Sequence, residues 1–550
     1  MMTKIYKNLI SLSFIICHLS FCIALIGCSD YLDIDIQEKQ STDISYNKVS
    51  NIDQALNGVY GCLRPLSKYY WQMSEARSDN TWVNTPGNVR AASQIAHFEN
   101  SILEENSIIL SCWNDYFKVT ASANKLLEEM DNVDFSEVDA KLNSISKTGQ
   151  ELRVHYKAET RFLRALAYFD LVRFFGRVPA TTKYLTTAEA FLLKQSEPLD
   201  VLNNIVIPDL KYAIDNLSYA PFDYQGATRI ERATKPAAQA LLARVYMMMA
   251  GFPYNDASHQ AEAAELLKSV IDYSAANSNK WWAPAITDWE KMWIHENDNK
   301  YFIFEIQYAL AASMGNPMTP VSVSWSLVNS EWCTKNYVNA DVITYASNSL
   351  RSHFTDPDVD DSGNEYFDQR GPATLSTISI SDDGTYIDGS SANCFNVKFF
   401  ENIKKRNAMG LQSIDGQMLN YTYWPQNFPI IRFEDVLLMY AELVGPTTDG
   451  YAAINRIRQR AGLLPLSGLT DDQFQTAVRN ERQYELAGEG LRWFDLVRWN
   501  IYESSMKRIL TNDTNRPDFA AFVTKDTYIY PIPLSQIQVR EGLYTQNPGY

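Results

Sequence analysis

Histidine and cysteine are scarce in this 550-residue chain, which holds six of the first and seven of the second. The histidines lie far apart and no HExxH occurs, so a zincin-type metal site has no basis. There is no GxSxG, no P-loop and no GxGxxG followed by a suitable acid, which excludes the motif-bearing hydrolases and nucleotide binders. Cys62, Cys112, Cys333 and Cys394 are too scattered for a CxxC pattern and read as buried free thiols, with pairing in an oxidising envelope as the alternative. Positive charge is short as well: 49 Lys and Arg stand against 65 Asp and Glu, for a net charge of −16. Such a chain repels phosphate polymers, so neither nucleic-acid binding nor adhesion to anionic lipid through a basic patch is expected. No Gly/Ser-rich or Pro-rich linker divides the sequence, which favours one large globular body with local insertions.

Long apolar runs are absent except at the start. Lys4 and Lys7 precede an apolar stretch from Leu9 to Ile26 that stops at Cys28 and gives way to Asp30, Asp33, Asp35 and Glu38. The run is about long enough to cross a bilayer of roughly 30 Å. Its right-hand flank points elsewhere: Leu25, Ile26, Gly27 and Cys28 fit the bacterial lipobox, in which the thiol is acylated and the preceding peptide bond is cut. Residues 1–27 then form a lipoprotein signal, and residues 28–50 a lipid anchor with an acidic tether. Loss of Lys4 and Lys7 takes the net charge from −16 to −18. Acyl chains contribute about 0.8 kcal/mol per buried CH2, so several of them anchor stably. A secreted protein or a helix anchor, with Cys28 a bystander, is the other reading.

The remaining signal is helical. In AETRFLRALAYFDLVRFFGRVP the apolar positions Ala158, Phe162, Ala165, Phe169 and Val172 recur at helical spacing, and Gly176 and Pro179 end the run. ATKPAAQALLARVYMMMAGFP opens on Thr234 as a cap with Pro236 in the first turn and closes on Gly251 and Pro253. Its alanines admit a close neighbour, for which His259–Ser274 is the candidate. The same helix, break, helix order recurs where Tyr156–Phe175 precedes DVLNNIVIPDLKYAIDNL, and where FEDVLLMYAEL precedes DGYAAINRIRQRAGL. The expected fold is therefore mainly α: tetratricopeptide (TPR)-like helix pairs forming a superhelical scaffold with long, loop-rich insertions. An irregular helical globule is the alternative.

Seven blocks, in order from Cys28 to Tyr550, carry a resemblance: CSDYLD after the lipobox, ETRFLRALAYFDLVRFFGRVP, RATKPAAQALLARVYMMMAG, FPIIRFEDVLLMYAEL, INRIRQRAGL, ERQYELAGEGLRWFDLVRW and YIYPIPLSQIQVREGLYTQNPGY. Together they resemble the SusD/RagB family, the surface lipoproteins of Bacteroidetes that sit over a TonB-dependent transporter and capture glycans or other nutrients. The resemblance implies a single domain over 51–550, with TPR-like pairs mainly in 150–275 and 430–500 and a variable ligand-binding insertion at about 275–427. It implies an outer-membrane, exterior-facing, lipid-anchored protein with a SusC-like TonB-dependent transporter as partner and an oligosaccharide as ligand. The acids after Cys28 then resemble an export tag, with a plain solvated tether as the other reading. Peptide capture on the same scaffold is the runner-up function, and a glycoside hydrolase ranks behind both. No catalytic residue, cofactor or metal is expected.

Sugar capture needs flat aromatic faces for C–H surfaces and forked donors and acceptors for hydroxyls. Six of the twelve tryptophans fall in one window: Trp281, Trp282, Trp289, Trp293, Trp325 and Trp332. Trp289 and Trp293, four apart, read as the packed face of a short helix. Trp71, Trp113, Trp493 and Trp499 lie in helical blocks and read as core. The other candidate region is EARSDNTWVNTPGNVRAAS, where Trp82 stands among Arg77, Asp79, Asn80 and Arg90. In SusD-like proteins the ligand site joins an early aromatic loop to the variable middle. This points to Trp82, Arg77, Asp79, Asn80 and Arg90, with Trp281, Trp282, Trp325 and Trp332 as partners.

Two charged stretches have structural readings. In ERQYELAGEGLRWFDLVRW, Glu489, Arg492, Asp495 and Arg498 are spaced for pairing along one helix, with Glu481, Arg482 and Glu485 on the preceding turns. A glycosidase would instead need two carboxylates held across a sugar. DPDVDDSGNEYFDQ places Asp358, Asp360, Ser362 and Gly363 like the start of a calcium loop, but the twelfth position from Asp358 is Gln369 rather than Glu, so it reads as a polar turn.

Overall fold

The computed structural model describes residues 46–83, 91–220, 232–293, 301–308, 344–360, 362–376, 378–380, 386–388, 395–396, 398–399, 426–513, 516–539 and 541–550. Cys28 with its lipobox and acidic run, Arg90, Trp325, Trp332, Cys333 and Cys394 lie outside the described residues.

Helix α1 (Val49–Gly61) buries Val49, Ile52, Leu56 and Val59. Helix α2 (Ser107–Glu129) begins at Asn106, whose side chain accepts from the Ile108 and Ile109 amides. Helix α3 (Gly149–Phe175) opens on a capping box between Thr148 and Glu151 and stops at Gly176, where φ is 67°. From Phe162 to Phe175 every residue of α3 is buried, so the helix is packed on all sides by neighbours that include α1 and α2. After the short helix α4 (Thr187–Leu192), α5 (Ile207–Asn216) packs on α3. Arg164 pins that contact by a two-pronged ion pair to Asp209, at 2.7 and 2.8 Å.

The next helices continue the array. Helix α6 (Lys235–Ala250) packs on both α5 and α7 (Gln260–Ala276), which confirms the neighbour expected from its alanines. Thr234 occupies the cap position of α6 but makes no side-chain cap bond. Helix α8 (Ile286–Met292) carries Trp289, and Trp293 follows it at the C-cap; both are buried and meet edge to face at 5.8 Å. Helices α9 (Phe433–Val444) and α10 (Thr448–Arg460) form the last consecutive pair, and α9 also rests on α7. The molecule is thus mainly helical with stacked, TPR-like pairs. Helices α11 (Asp471–Glu485), α12 (Arg492–Arg498), α13 (Tyr502–Asn512) and α14 (Leu534–Val539) complete the set used below.

Among the described residues all sheets are two-stranded. Strand β1 (Thr81–Val83) pairs antiparallel with β3 (Thr344–Ala346), and the fully buried β2 (Phe302–Ile306) pairs with β4 (Phe428–Arg432). One hydrophobic cluster runs from Val49 to Tyr544 and draws on most of the helices. A smaller one gathers Phe98, Trp493, Leu496, Tyr502, Met506 and Val523, with Trp82 packed against it. No helix among the described residues is long and apolar enough to cross a membrane. Cys62 and Cys112 are free thiols.

Candidate functional site

Strand β1 sets Trp82 opposite Tyr345 of β3. The early aromatic segment and the middle of the 275–427 insertion therefore share one ladder, which the Ser347 amide extends by donating to the Asn80 carbonyl (2.8 Å). Trp82 is half-buried and Thr81 and Val83 are buried, as alternation on a strand requires.

The polar residues ahead of Trp82 face inward. Arg77 has no exposed surface; its Nη2 donates to the Thr527 carbonyl (2.9 Å), and its guanidinium lies 4.0 Å from the Phe98 ring and 4.4 Å from that of Tyr530. Asp79 takes two bonds from Arg492, at 2.7 and 3.0 Å. Asn80 donates to Glu75 Oε1 (2.8 Å), and Glu75 also accepts the Gly488 and Gly490 amides at 2.7 and 3.0 Å. Burial raises the Glu75 carboxyl above its ordinary range in spite of these donors. Gly490 has a φ of 71°, and a Cβ there would stand 2.3 Å from the Tyr70 carbonyl oxygen, so only glycine lets this loop approach the helical turn at Tyr70 so closely. Arg77, Asp79 and Asn80 were expected as ligand contacts; their burial and internal hydrogen bonds make them instead the frame that holds the loop under Trp82.

The tryptophan window divides. Trp281 is buried with a φ of 69°, its ring beside Tyr273 and the Lys280 ammonium. Trp282 is half-buried, with the Arg456 and Arg460 guanidinium groups 4.3 and 4.6 Å from its ring. Both pack against the large cluster whereas Trp82 packs against the small one, so the structure does not join them to it. Trp71, Trp113 and Trp493 are core as expected, but Trp499 is half-buried and donates to Glu442 (2.8 Å).

The block read as one charged helix is two helices with a loop between them, since α11 ends at Glu485 and α12 begins at Arg492. Its charges pair between elements, and only Arg498 with Asp495 keeps the expected spacing along a helix. Five carboxylates (Asp368, Glu434, Glu481, Glu485, Glu489) meet five cations (Arg370, Lys398, Arg432, Arg458, Arg460) in one buried network. Arg244, Arg482 and Arg498 pair with Asp435, Asp495 and Glu442 in a second. These acids are neutralised in place, which suits them to structure rather than to proton transfer across a sugar.

A pH dependence follows. The charges of Arg244 and Arg482 hold the Asp435 carboxyl at about 2 against burial, below its ordinary 3.8, and neighbouring cations depress Glu485 and Asp495 as well. A depressed carboxyl stabilises the fold fully above its unfolded pKa and loses that contribution as pH falls through its folded value; Glu75, raised by burial, acts in the opposite sense. Stability measured by denaturant titration is expected to hold down to about pH 4 and then fall steeply towards about pH 2. A flat profile across that window would contradict the network.

The candidate calcium loop is a hairpin between Asp358–Val359 and Glu365–Tyr366. Asp360 accepts from the Ser362 and Asn364 amides and from Asn364 Nδ2, so the turn itself uses this carboxylate.

Two family models match the chain: one described as "Starch-binding associating with outer membrane" over residues 30–247, the other as the SusD family over residues 332–550. SusD-like protein P25 of Formosa agariphila is 24% identical, over 98% of this chain and 99% of its own length. A SusD homolog from Bacteroides thetaiotaomicron superposes with a TM-score of 0.72 at 23% identity, covering 93% of this chain and all of the other. A laminarin-binding SusD-like protein gives 0.68 at 22%, over 92% of this chain and 100% of its own. The likeness in structure carries the fold, and the two models and the nearly full-length relative carry the kinship: the chain belongs to the SusD/RagB family.

Proposed function

We propose that this protein is a surface glycan-binding lipoprotein, acylated at Cys28 and held on the exterior of the outer membrane, that presents an oligosaccharide to a SusC-like TonB-dependent transporter without altering it. The observation that carries the reading is the ladder of β1 with β3, which sets a half-buried Trp82 where the early loop meets the variable insertion. Arg77, Asp79 and Asn80 position that loop. The ligand face is Trp82 with residues of the insertion, Trp325 and Trp332 among them. The family description and the laminarin-binding neighbour support a glycan as the ligand.

Affinity electrophoresis against a panel including laminarin and starch tests this, run beside an assay for released sugars. Trp82→Ala is expected to weaken retention at least tenfold, a loss of about 1.4 kcal/mol. Trp282→Ala leaves retention unchanged, because guanidinium groups already pack against that ring. Unchanged retention in both Trp82→Ala and Trp325→Ala would move the site elsewhere, and released product would overturn binding without chemistry. A wild-type protein that no polysaccharide retains but a peptide does would turn the reading to peptide capture.

A further inference from the structure

Where α3, α6, α9, α11 and α12 come together they leave a cavity of about 30 Å3, room for a water molecule or an ion of similar size. Its charge is almost all of one sign. Four guanidinium groups, those of Arg173, Arg244, Arg482 and Arg498, line it against a single carboxylate, Asp495. The other acids that pair with these arginines, Asp170, Asp435 and Glu442, stand outside the lining. Coulomb interactions fall with distance, so a body in the cavity meets the cations before the acids behind them. The remaining walls are apolar, among them Phe169 and Phe494, and the Arg173 guanidinium lies 4.4 and 3.8 Å from these two rings.

Hydrogen-bond donors are left over at the same place. Arg173 gives its Nη2 to Asp170, and Arg244 gives its Nη2 to Asp435 and to the Ile430 carbonyl. Arg173 Nε and Arg244 Nη1 have no hydrogen-bond partner among the described residues, although the two side chains are only 3% and 9% exposed. Burying a charged donor unpaired is costly, and two of them on arginines that line one cavity call for an occupant that accepts from both.

Three occupants compete. A cation is repelled by four like charges. A water molecule accepts from both N–H groups, but its own two hydrogens then need acceptors. Of the lining side chains only Asp495 offers an oxygen, and its carboxylate already receives Arg482 and Arg498. A small anion accepts without donating and gains from the surplus of positive charge. Two free donors and largely apolar walls suit a compact, monatomic acceptor better than an oxyanion, which needs a donor for each of its oxygens. Met248, Phe494 and Arg498 are half-buried, which leaves a way in from solvent.

We propose that this cavity is a halide site, in which chloride accepts hydrogen bonds from Arg173 Nε and Arg244 Nη1 beside the Arg482 and Arg498 guanidinium groups and so ties α3, α6, α11 and α12 together. The site is independent of ligand capture at Trp82. An ion held by the folded state alone stabilises it by mass action, so stability rises with chloride and levels off as the site fills. Two measurements on the purified protein test this. Crystals soaked in sodium bromide and measured at the bromine edge are expected to show an anomalous peak within hydrogen-bonding distance of Arg173 and Arg244. Urea midpoints, taken while sodium chloride replaces sodium gluconate at constant ionic strength, are expected to rise saturably. In Arg244→Gln, which removes one cation and leaves Asp435 paired with Arg482, the chloride concentration at half the rise is expected to increase at least tenfold. A water-filled cavity in the bromide crystals, or the same chloride response in wild type and Arg244→Gln, overturns the assignment. Bromide density without a chloride-dependent midpoint marks an adventitious ion only and overturns it too, as does a stronger response to sulfate than to chloride. Should Arg244→Gln fail to fold, the two wild-type measurements decide.

Discussion

Glu485→Ala is expected to destabilise the protein by about 4 kcal/mol, the range found when one member of a buried ion pair is deleted. Glu485 has no exposed surface, and its two carboxylate oxygens accept from four donors: Arg460 Nη2 at 2.7 Å, Arg370 Nη1 at 2.8 Å, Trp289 Nε1 at 2.9 Å and Arg432 Nη1 at 3.1 Å. Each donor comes from a different part of the chain, so this one side chain ties the end of α11 to α8, α10, β4 and the segment after the 358–366 hairpin. Deleting it leaves three guanidinium groups facing one another with no water to spread their charge. Glu485→Gln keeps two acceptor sites on one oxygen and loses the charge, so it should fall between alanine and wild type. The contrast is Glu503→Ala: Glu503 pairs with Lys507 at 2.6 Å, but both are more than 40% exposed, and the expected change stays within about 0.5 kcal/mol. Urea titrations followed by tryptophan fluorescence check all three through the midpoint at constant slope. A Glu485→Ala midpoint shift no larger than that of Glu503→Ala would mean the network contributes nothing to the fold.

That network also marks the boundary of what could be read in advance. The helix pairs were legible because their evidence is local: apolar residues at three- and four-residue spacing, a Pro in a first turn, a Gly where φ must turn positive. Trp289 and Trp293 were legible as a packed pair for the same reason. The charged block was legible as structural pairing but not in its partners, since spacing alone pairs the charges along one helix. Glu481, Arg482, Glu485, Glu489, Arg492 and Asp495 are all buried, with partners such as Arg370, Lys398, Arg432, Asp435 and Asp79 that come from distant parts of the sequence. Pairing over such distances leaves no periodic trace. The same limit applies at the site: the loop and its tryptophan stood out in composition, whereas the inward turn of Arg77, Asp79 and Asn80 depends on partners at Thr527 and Arg492 and, through Glu75, at Gly488. The pairing of Trp82 with Tyr345 was equally hidden, because a three-residue strand is too short to show alternation.

Asp79→Asn is expected to cost about 3 kcal/mol of stability and to weaken polysaccharide affinity at least tenfold, although Asp79 itself touches no ligand in this account. The carboxylate is 4% exposed and receives both prongs of Arg492. An amide in its place turns two donors towards a guanidinium and strands that charge, leaving it the Gln483 side chain and the Arg479 carbonyl, each at 3.2 Å. Three residues on, Trp82 packs against the cluster that holds Phe98 and Trp493, the latter being the neighbour of Arg492 in α12. Loosening the ion pair therefore loosens the platform, and affinity falls through the position of the ring rather than through a lost contact. A thermodynamic cycle separates the two possibilities. If Asp79 acts only by placing Trp82, Asp79→Asn in a Trp82→Ala background lowers affinity no further, and the two losses are non-additive by roughly the whole effect of one of them. If Asp79 met the sugar directly, the losses would add. Calorimetric titration of the wild type, the two single variants and the double variant, each first shown to be folded, decides between a frame and a contact.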